Sequence, residues 1–132
     1  MAGPETPKLM VDVVIPSDEN RGVLLIPRDK DPYEGRWALL GGLVEVGATL
    51  EAAAVRVAED ETGLKVGVMR LVRVYSEPDR DSRGHNVSCA FLARGRRQSS
   101  PGSDAAELSF VDPSEVELAF DHEKIIADAL AG

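Results

Sequence analysis

The segment from Leu39 to Leu64 constrains this chain more than any other, because three local signals follow one another along it. A strand-like end at Leu39-Leu40 runs into a loop carrying Gly41, Gly42 and Gly47, and a helix spanning about Leu50–Thr62 follows. Thr49 is the residue type that caps a helix by accepting from a first-turn amide, and Gly63 is the type that ends one in the left-handed conformation. At about 100° per residue, Leu50, Ala53, Ala54, Val57, Ala58 and Leu64 share one arc, the face that packs on a sheet. Glu61, four residues after Val57, projects into the middle of that arc, and Asp60 lies at its edge. A carboxylate there costs several kcal/mol unless it is paired or bound to a metal. The wheel alone leaves two readings open: a ligand-binding acid, or a last turn that protrudes past the sheet into water.

Around this segment, β-branched alternation and apolar runs predict strands at Leu9–Ile15, Gly22–Ile26, Trp37–Leu40, Val68–Tyr75, Asn86–Ala93 and Glu107–Val111. A second helix is predicted over about Asp121–Leu130 with Asp121 as its cap, and a short helical turn at Pro113–Val116. Strands, a central helix, more strands and a terminal helix make a mixed α/β sandwich. The length of 132 residues suits one domain, residues 1–132, and Gln98–Ser103 reads as a loop inside it.

Charge narrows the function classes. Fifteen Lys and Arg stand against 23 Asp and Glu, a formal net charge of −8, so the basic face that nucleic acid requires is not expected. A small anionic ligand is compatible, held at a local arginine cluster or through divalent cations. No apolar run approaches the roughly 18–20 residues of a membrane span, and the first residues carry no basic-then-apolar leader pattern. The single cysteine, Cys89, rules out an internal disulfide and fits a reducing cytoplasm. It reads as a small buried hydrophobe.

The spacing of Gly42, Arg56, Ala58, Asp60, Glu61, Gly63 and Leu64 resembles the signature of the Nudix hydrolase family. Outside it, Trp37-Ala38-Leu39, the run from Glu77 to His85, Asp104–Glu107 and Ala119–His122 look like the ADP-ribose pyrophosphatase branch. The resemblance implies a Nudix-type α/β/α sandwich with a mixed β-sheet, Mg²⁺ or Mn²⁺ as cofactor, and a homodimer. It implies a metal site at Gly41, Asp60 and Glu61, and structural roles for Gly42 and Gly63. Glu45 and Arg56 occupy positions of an internal salt bridge locking loop to helix. The chain also departs from the family pattern: Ala48 and Val57 stand where the signature has Glu, and the second of these is a principal metal ligand in the family. Asp60 replaces a Glu conservatively.

Two functions follow from the resemblance. The first is metal-dependent hydrolysis of a nucleoside diphosphate linked to another group, with an ADP-ribose-like substrate. In it Glu61 and Glu107 are catalytic, and Arg28, Arg36, Arg80 and Arg83 are candidates for holding phosphates, since guanidinium forks match phosphate oxygens. Glu107, next to a loop, is the candidate base, with Asp104 a weaker one. The second is a Nudix-fold nucleotide-binding module whose catalysis is weakened or lost through Ala48 and Val57. His85 and His122 read as hydrogen-bonding residues, and Trp37 and Tyr33 as core or base-stacking residues.

Overall fold

The computed structural model describes residues 5–97 and 109–131. At its centre β1 (Lys8–Val14) lies between β5 (Leu40–Leu43), antiparallel to it, and β7 (Asn86–Arg96), parallel to it. β6 (Lys65–Tyr75) closes the far edge antiparallel to β7, giving a mixed sheet ordered β5-β1-β7-β6. Two short pairs flank it: β2 (Val23–Leu24) with β8 (Phe110–Val111), and β3 (Ile26–Pro27) with β4 (Trp37–Ala38).

Side chains alternate across the sheet, and each face takes a helix. On one face Val11, Val13 and Phe91 pack with Ala53, Ala54, Val57 and Ala58 of α1 (Leu50–Thr62). On the other, Val14, Ala90 and Tyr75 pack with Ile125, Ile126 and Ala129 of α2 (His122–Ala131). Each fully buried Val, Leu or Ile contributes about 1.5–3 kcal/mol, so these two apolar layers hold the sandwich together. Helix α1 is capped by Thr49, whose Oγ1 accepts from the Ala52 amide at 3.1 Å, and Gly63 ends it at φ +72°. Cys89 is buried in the first layer. No helix among the described residues is long and apolar enough to cross a membrane.

Three local expectations are corrected. Gly41 and Gly42 lie inside β5 and not in a loop, because β1 claims them in register, Asp12 opposite Gly41 and Val11 opposite Gly42. They are glycines because neighbours press on them. A Cβ on Gly41 would stand 2.5 Å from Asp12 Oδ1, and one on Gly42 would stand 3.0 Å from Val57 Cγ2. The expected strand at Gly22–Ile26 breaks into β2 and β3. Helix α2 begins at His122, and the Asp121 carboxylate, expected to cap it, is held by Arg80. Glu107 and Asp104 lie outside the described residues.

Candidate functional site

Opposite α1, the alternation of β1 turns Met10 and Asp12 toward a cavity of about 380 Å³. Gly41 of β5 and Glu61 of the last turn of α1 form one wall. Arg28 and Lys30 reach it from the segment after β3, and Arg80, Asp81 and Arg83 from the turn before β7. Phe120 and His122 close it at the start of α2.

A buried polar network forms the floor. Asp12 Oδ2 accepts from Ser88 Oγ at 2.5 Å, and Asp12 Oδ1 lies 3.7 Å from His122 Nε2. His122 Nδ1 accepts from the Leu39 amide at 3.1 Å, which leaves the neutral ring's proton on Nε2, toward Asp12. Burial pushes the Asp12 carboxyl up against the opposing pull of His122, Ser88 and Arg80. Burial pushes His122 down, against Asp12 and Asp121. Both shifts favour the neutral forms of the two groups.

The four arginines proposed for phosphates divide sharply. Arg80 is buried and clasped by Asp121, Nε at 2.8 Å and Nη2 at 2.6 Å, with Asp12 3.9 Å away. Burial would lower its pKa, but Asp121 outweighs that and raises it. Arg83 is half exposed and forks onto Asp81 at 3.0 and 2.7 Å. Burial alone would raise Asp81, but hydrogen bonds from Arg83 and Asn86 hold its carboxyl at about 2. Arg28 donates from Nε to the Pro32 carbonyl at 2.6 Å. Its guanidinium and that of Arg83 stand 5.0 and 5.2 Å from the Phe120 ring centre, within cation–π range. Arg36 stands apart from the cavity lining, 3.5 Å from Glu117 and 5.2 Å from the Tyr33 ring. The cavity therefore gathers Arg28 and Arg83 around one aromatic ring, with the Arg83 fork paired to Asp81, while Arg80 lies buried in its pair with Asp121.

The helix acids divide as well. Glu61 is exposed at the cavity rim, and the environment there raises its pKa, chiefly through desolvation, with Asp12 and Asp60 adding to it and the Gly41 amide opposing it. Asp60 lies 3.9 Å from Arg56 Nη1, and Glu59 accepts from the Val66 amide at 2.9 Å. Arg56 also stands 3.8 Å from Glu45 and donates to the Leu43 carbonyl at 3.0 Å, fastening the end of β5 to α1.

The described donors alone do not form a cage for a tightly held divalent ion. Among the described residues no three His, Cys, Asp or Glu side chains come together as a metal-binding group. The groove between β5 and α1, where Gly41, Asp60 and Glu61 meet, is floored by the apolar Val57, and Arg56 engages Glu45 and Asp60 beside it. Hard cations need several oxygen ligands, and Glu61 is the one helix carboxylate that lines both this groove and the main cavity.

Sequence reasoning passed over Asp12, Ser88, Asp81 and Phe120. Asp12 carried a legible signal, an acid flanked by Val11 and Val13 in a run of buried residues, the same anomaly that singled out Glu61. Phe120 takes φ +52°, which nothing in its neighbours announces.

Comparison with known proteins gives a consistent result. The family model described as NUDIX domain matches residues 6–129. An ADP-ribose pyrophosphatase of Methanocaldococcus jannaschii is 46% identical over 126 residues, covering 92% of this chain and 72% of that protein. An ADPR responsive transcriptional repressor, NtrR, of Acinetobacter baylyi is 30% identical over 135 residues. That match covers 96% of this chain but only 54% of the repressor, so the chain spans about half its length. Among solved structures, the NUDIX domain of Shewanella oneidensis NrtR, crystallised with ADP ribose, superposes with a TM-score of 0.76 at 26% identity, covering 96% of this chain and 88% of that one.

Proposed function

We propose that this chain, which belongs to the Nudix family, binds a nucleoside diphosphate joined to a sugar, of the ADP-ribose type, and hydrolyses it slowly if at all. The observation that carries this reading is the convergence of Arg28 and Arg83 on Phe120 at a cavity whose opposite wall holds Glu61. Guanidinium groups match phosphate oxygens, and the apolar Ile26, Ala38 and Leu39 in the lining suit the non-ionic parts of such a ligand. The ADP-ribose in the names of these relatives supports the ligand class.

The make-up of the groove supports slow hydrolysis. Water attack on phosphorus breaks the bridging P–O bond and leaves two phosphate monoesters. The charge that builds on the diphosphate must be offset at that moment. Val57 and Ala48 put apolar side chains where the family signature has carboxylates, and Glu61 remains without a second helix carboxylate in the main cavity.

A working hydrolase is the second reading, favoured by the 46% identity to an ADP-ribose pyrophosphatase. In it Glu61 and Glu107 carry the reaction, and Mg²⁺ or Mn²⁺ is required. The test incubates the protein with ADP-ribose and either ion, following AMP release and the melting temperature together. The leading reading expects a thermal upshift with turnover near background. Rapid turnover abolished by Glu107→Gln selects the second, and no thermal shift with no turnover rejects both.

A further inference from the structure

We propose that the β6–β7 ladder, beyond the end of α2, binds a compact phosphoryl anion at Lys65, Arg94 and Arg96, either free phosphate or the phosphate of a small monoester. The proposal stands apart from the ligand assigned to the main cavity, because none of these three residues lines that cavity.

The observation behind it is a segregation of charge by register. Neither β6 nor β7 contains an Asp or Glu, in a chain of formal net charge −8. The cations of the two strands, Lys65, Arg70, Arg73, Arg94 and Arg96, all fall on one face. Residues directly opposite each other in an antiparallel ladder share a face. Lys65 stands opposite Arg96, Gly67 opposite Arg94, Arg70 opposite Leu92 and Arg73 opposite Ala90. Ala90 and Leu92 pack in the layer under α2, which identifies the face. The alternate positions Val66, Phe91 and Ala93 belong to the layer under α1.

Helix α2 answers two of the five cations. Arg70 Nη2 donates to the Ala129 carbonyl at 3.0 Å, and Arg73 Nη1 lies 4.0 Å from Asp128. Both meet the last turn of the helix, where the carbonyl end favours positive charge. Lys65, Arg94 and Arg96 lie further along the ladder and are exposed. Among the described residues no carboxylate pairs with any of the three. Cross-strand neighbours stand about 5 Å apart and alternate residues of one strand about 7 Å, so three positive charges crowd one small patch. Like charges directly opposite each other destabilise a ladder, and an anion seated between them turns that repulsion into attraction. Gly67 leaves room for it: a Cβ built there would meet nothing within 4 Å, so the space beside Arg94 is open. Guanidinium forks match phosphate oxygens. Three uncommitted cations suit one compact dianion, whereas the long backbone of a nucleic acid would meet the negative charge of the rest of the chain.

The experiment follows the melting temperature of the full chain at fixed pH and ionic strength in chloride, phosphate and glycerol 3-phosphate. It compares the wild type with Arg94→Gln/Arg96→Gln, Lys65→Gln and Arg28→Ala. In about 20 mM phosphate the wild type should melt at least 3 °C above its value in chloride, by mass action. The double variant and Lys65→Gln should each lose most of that rise, and Arg28→Ala should keep it. In chloride at low ionic strength the double variant should melt no lower than the wild type, because its loss relieves repulsion. A rise with phosphate alone identifies the free ion as the ligand, and a rise with glycerol 3-phosphate as well extends the site to monoesters. Equal rises in the wild type and in the Lys65 and Arg94/Arg96 variants overturn the proposal. So does a rise lost only in Arg28→Ala, which would seat the anion in the main cavity, and so does no rise in the wild type. ADP-ribose affinity, measured by calorimetry, should be the same within twofold in the wild type and the double variant, so a failure of the main cavity is read separately.

Discussion

Val57 presses its Cγ2 against Gly42, within 3.0 Å of where a Cβ on that glycine would stand. The contact joins the helix to the strand at the point where the family signature has a carboxylate, and it seals that point with hydrocarbon. Val57 is 5% exposed and belongs to the core layer under α1. The side chain that stands in place of that carboxylate therefore also contributes to the packing.

Val57→Glu tests that trade. In EDTA the variant should lose about 3 kcal/mol, a melting temperature lower by roughly 10 °C, because a carboxylate enters an apolar contact without a partner. Mn²⁺ should restore part of the loss in the variant and leave the wild type unmoved. Any ADP-ribose hydrolysis should rise tenfold or more in Mn²⁺, and further in the double change with Ala48→Glu. A variant that is destabilised and gains nothing from Mn²⁺ would show that more than these two carboxylates is missing.

Arg80 and Arg28 should separate stability from binding. Arg80→Ala strands Asp121 and leaves Asp12 without a nearby guanidinium, so unfolding in urea should show a loss of about 3 kcal/mol. Arg28→Ala removes a guanidinium at the cavity that donates to the Pro32 carbonyl and stands over the Phe120 ring, with no carboxylate partner among the described residues. Its melting temperature should fall by no more than about 2 °C, while ADP-ribose affinity drops roughly tenfold. The reverse pattern would mean that Arg80 is the ligand arginine.

That contrast marks where sequence stops informing. Arg80 and Arg83 sit in the same turn with similar neighbours, and the Asp121 that claims Arg80 is 41 positions away. Arg83 finds Asp81 two residues away, a local pairing. The helix α1, its Thr49 cap and its Gly63 stop were legible because capping and periodicity act within a few residues. Glu61 was legible because an acid on an apolar arc is an anomaly in any fold. The placement of Gly41 and Gly42 inside β5 was not, since it depends on register with β1, a partner remote in sequence.

His122 should make stability fall in mild acid. Burial lowers its pKa below the unfolded value of about 6.5, so the unfolded chain takes up the proton first as pH drops. Its contribution is intact above pH 6.5 and declines below it until the folded ring itself titrates. Asp12 and Asp121 oppose this drop, while Arg80 and Arg28 add to it. Urea midpoints for the wild type should decline from pH 7 to pH 5.5, and His122→Gln should show a flatter profile over that interval. Parallel profiles would assign the acid sensitivity to other groups.

Gly41→Ala should damage the cavity from the strand side. Its Cβ would stand 2.5 Å from Asp12 Oδ1 and 3.1 Å from the Val11 carbonyl, so one of the two must move. The Asp12 side chain has little freedom to retreat, because its other oxygen is held by Ser88 and His122 faces the first. The displacement should therefore pass into β5 and disturb the Gly41 amide that Glu61 engages. We expect a loss of about 2 kcal/mol in stability, within the range for overpacking a buried position. ADP-ribose affinity should fall more than tenfold, measured at a temperature where the variant is still folded. The double change with Asp12→Ala removes the clashing oxygen and should recover part of the stability but not the affinity, because Asp12 also orders His122 at the cavity floor. Full recovery of both would mean that Asp12 serves the site only by taking up space.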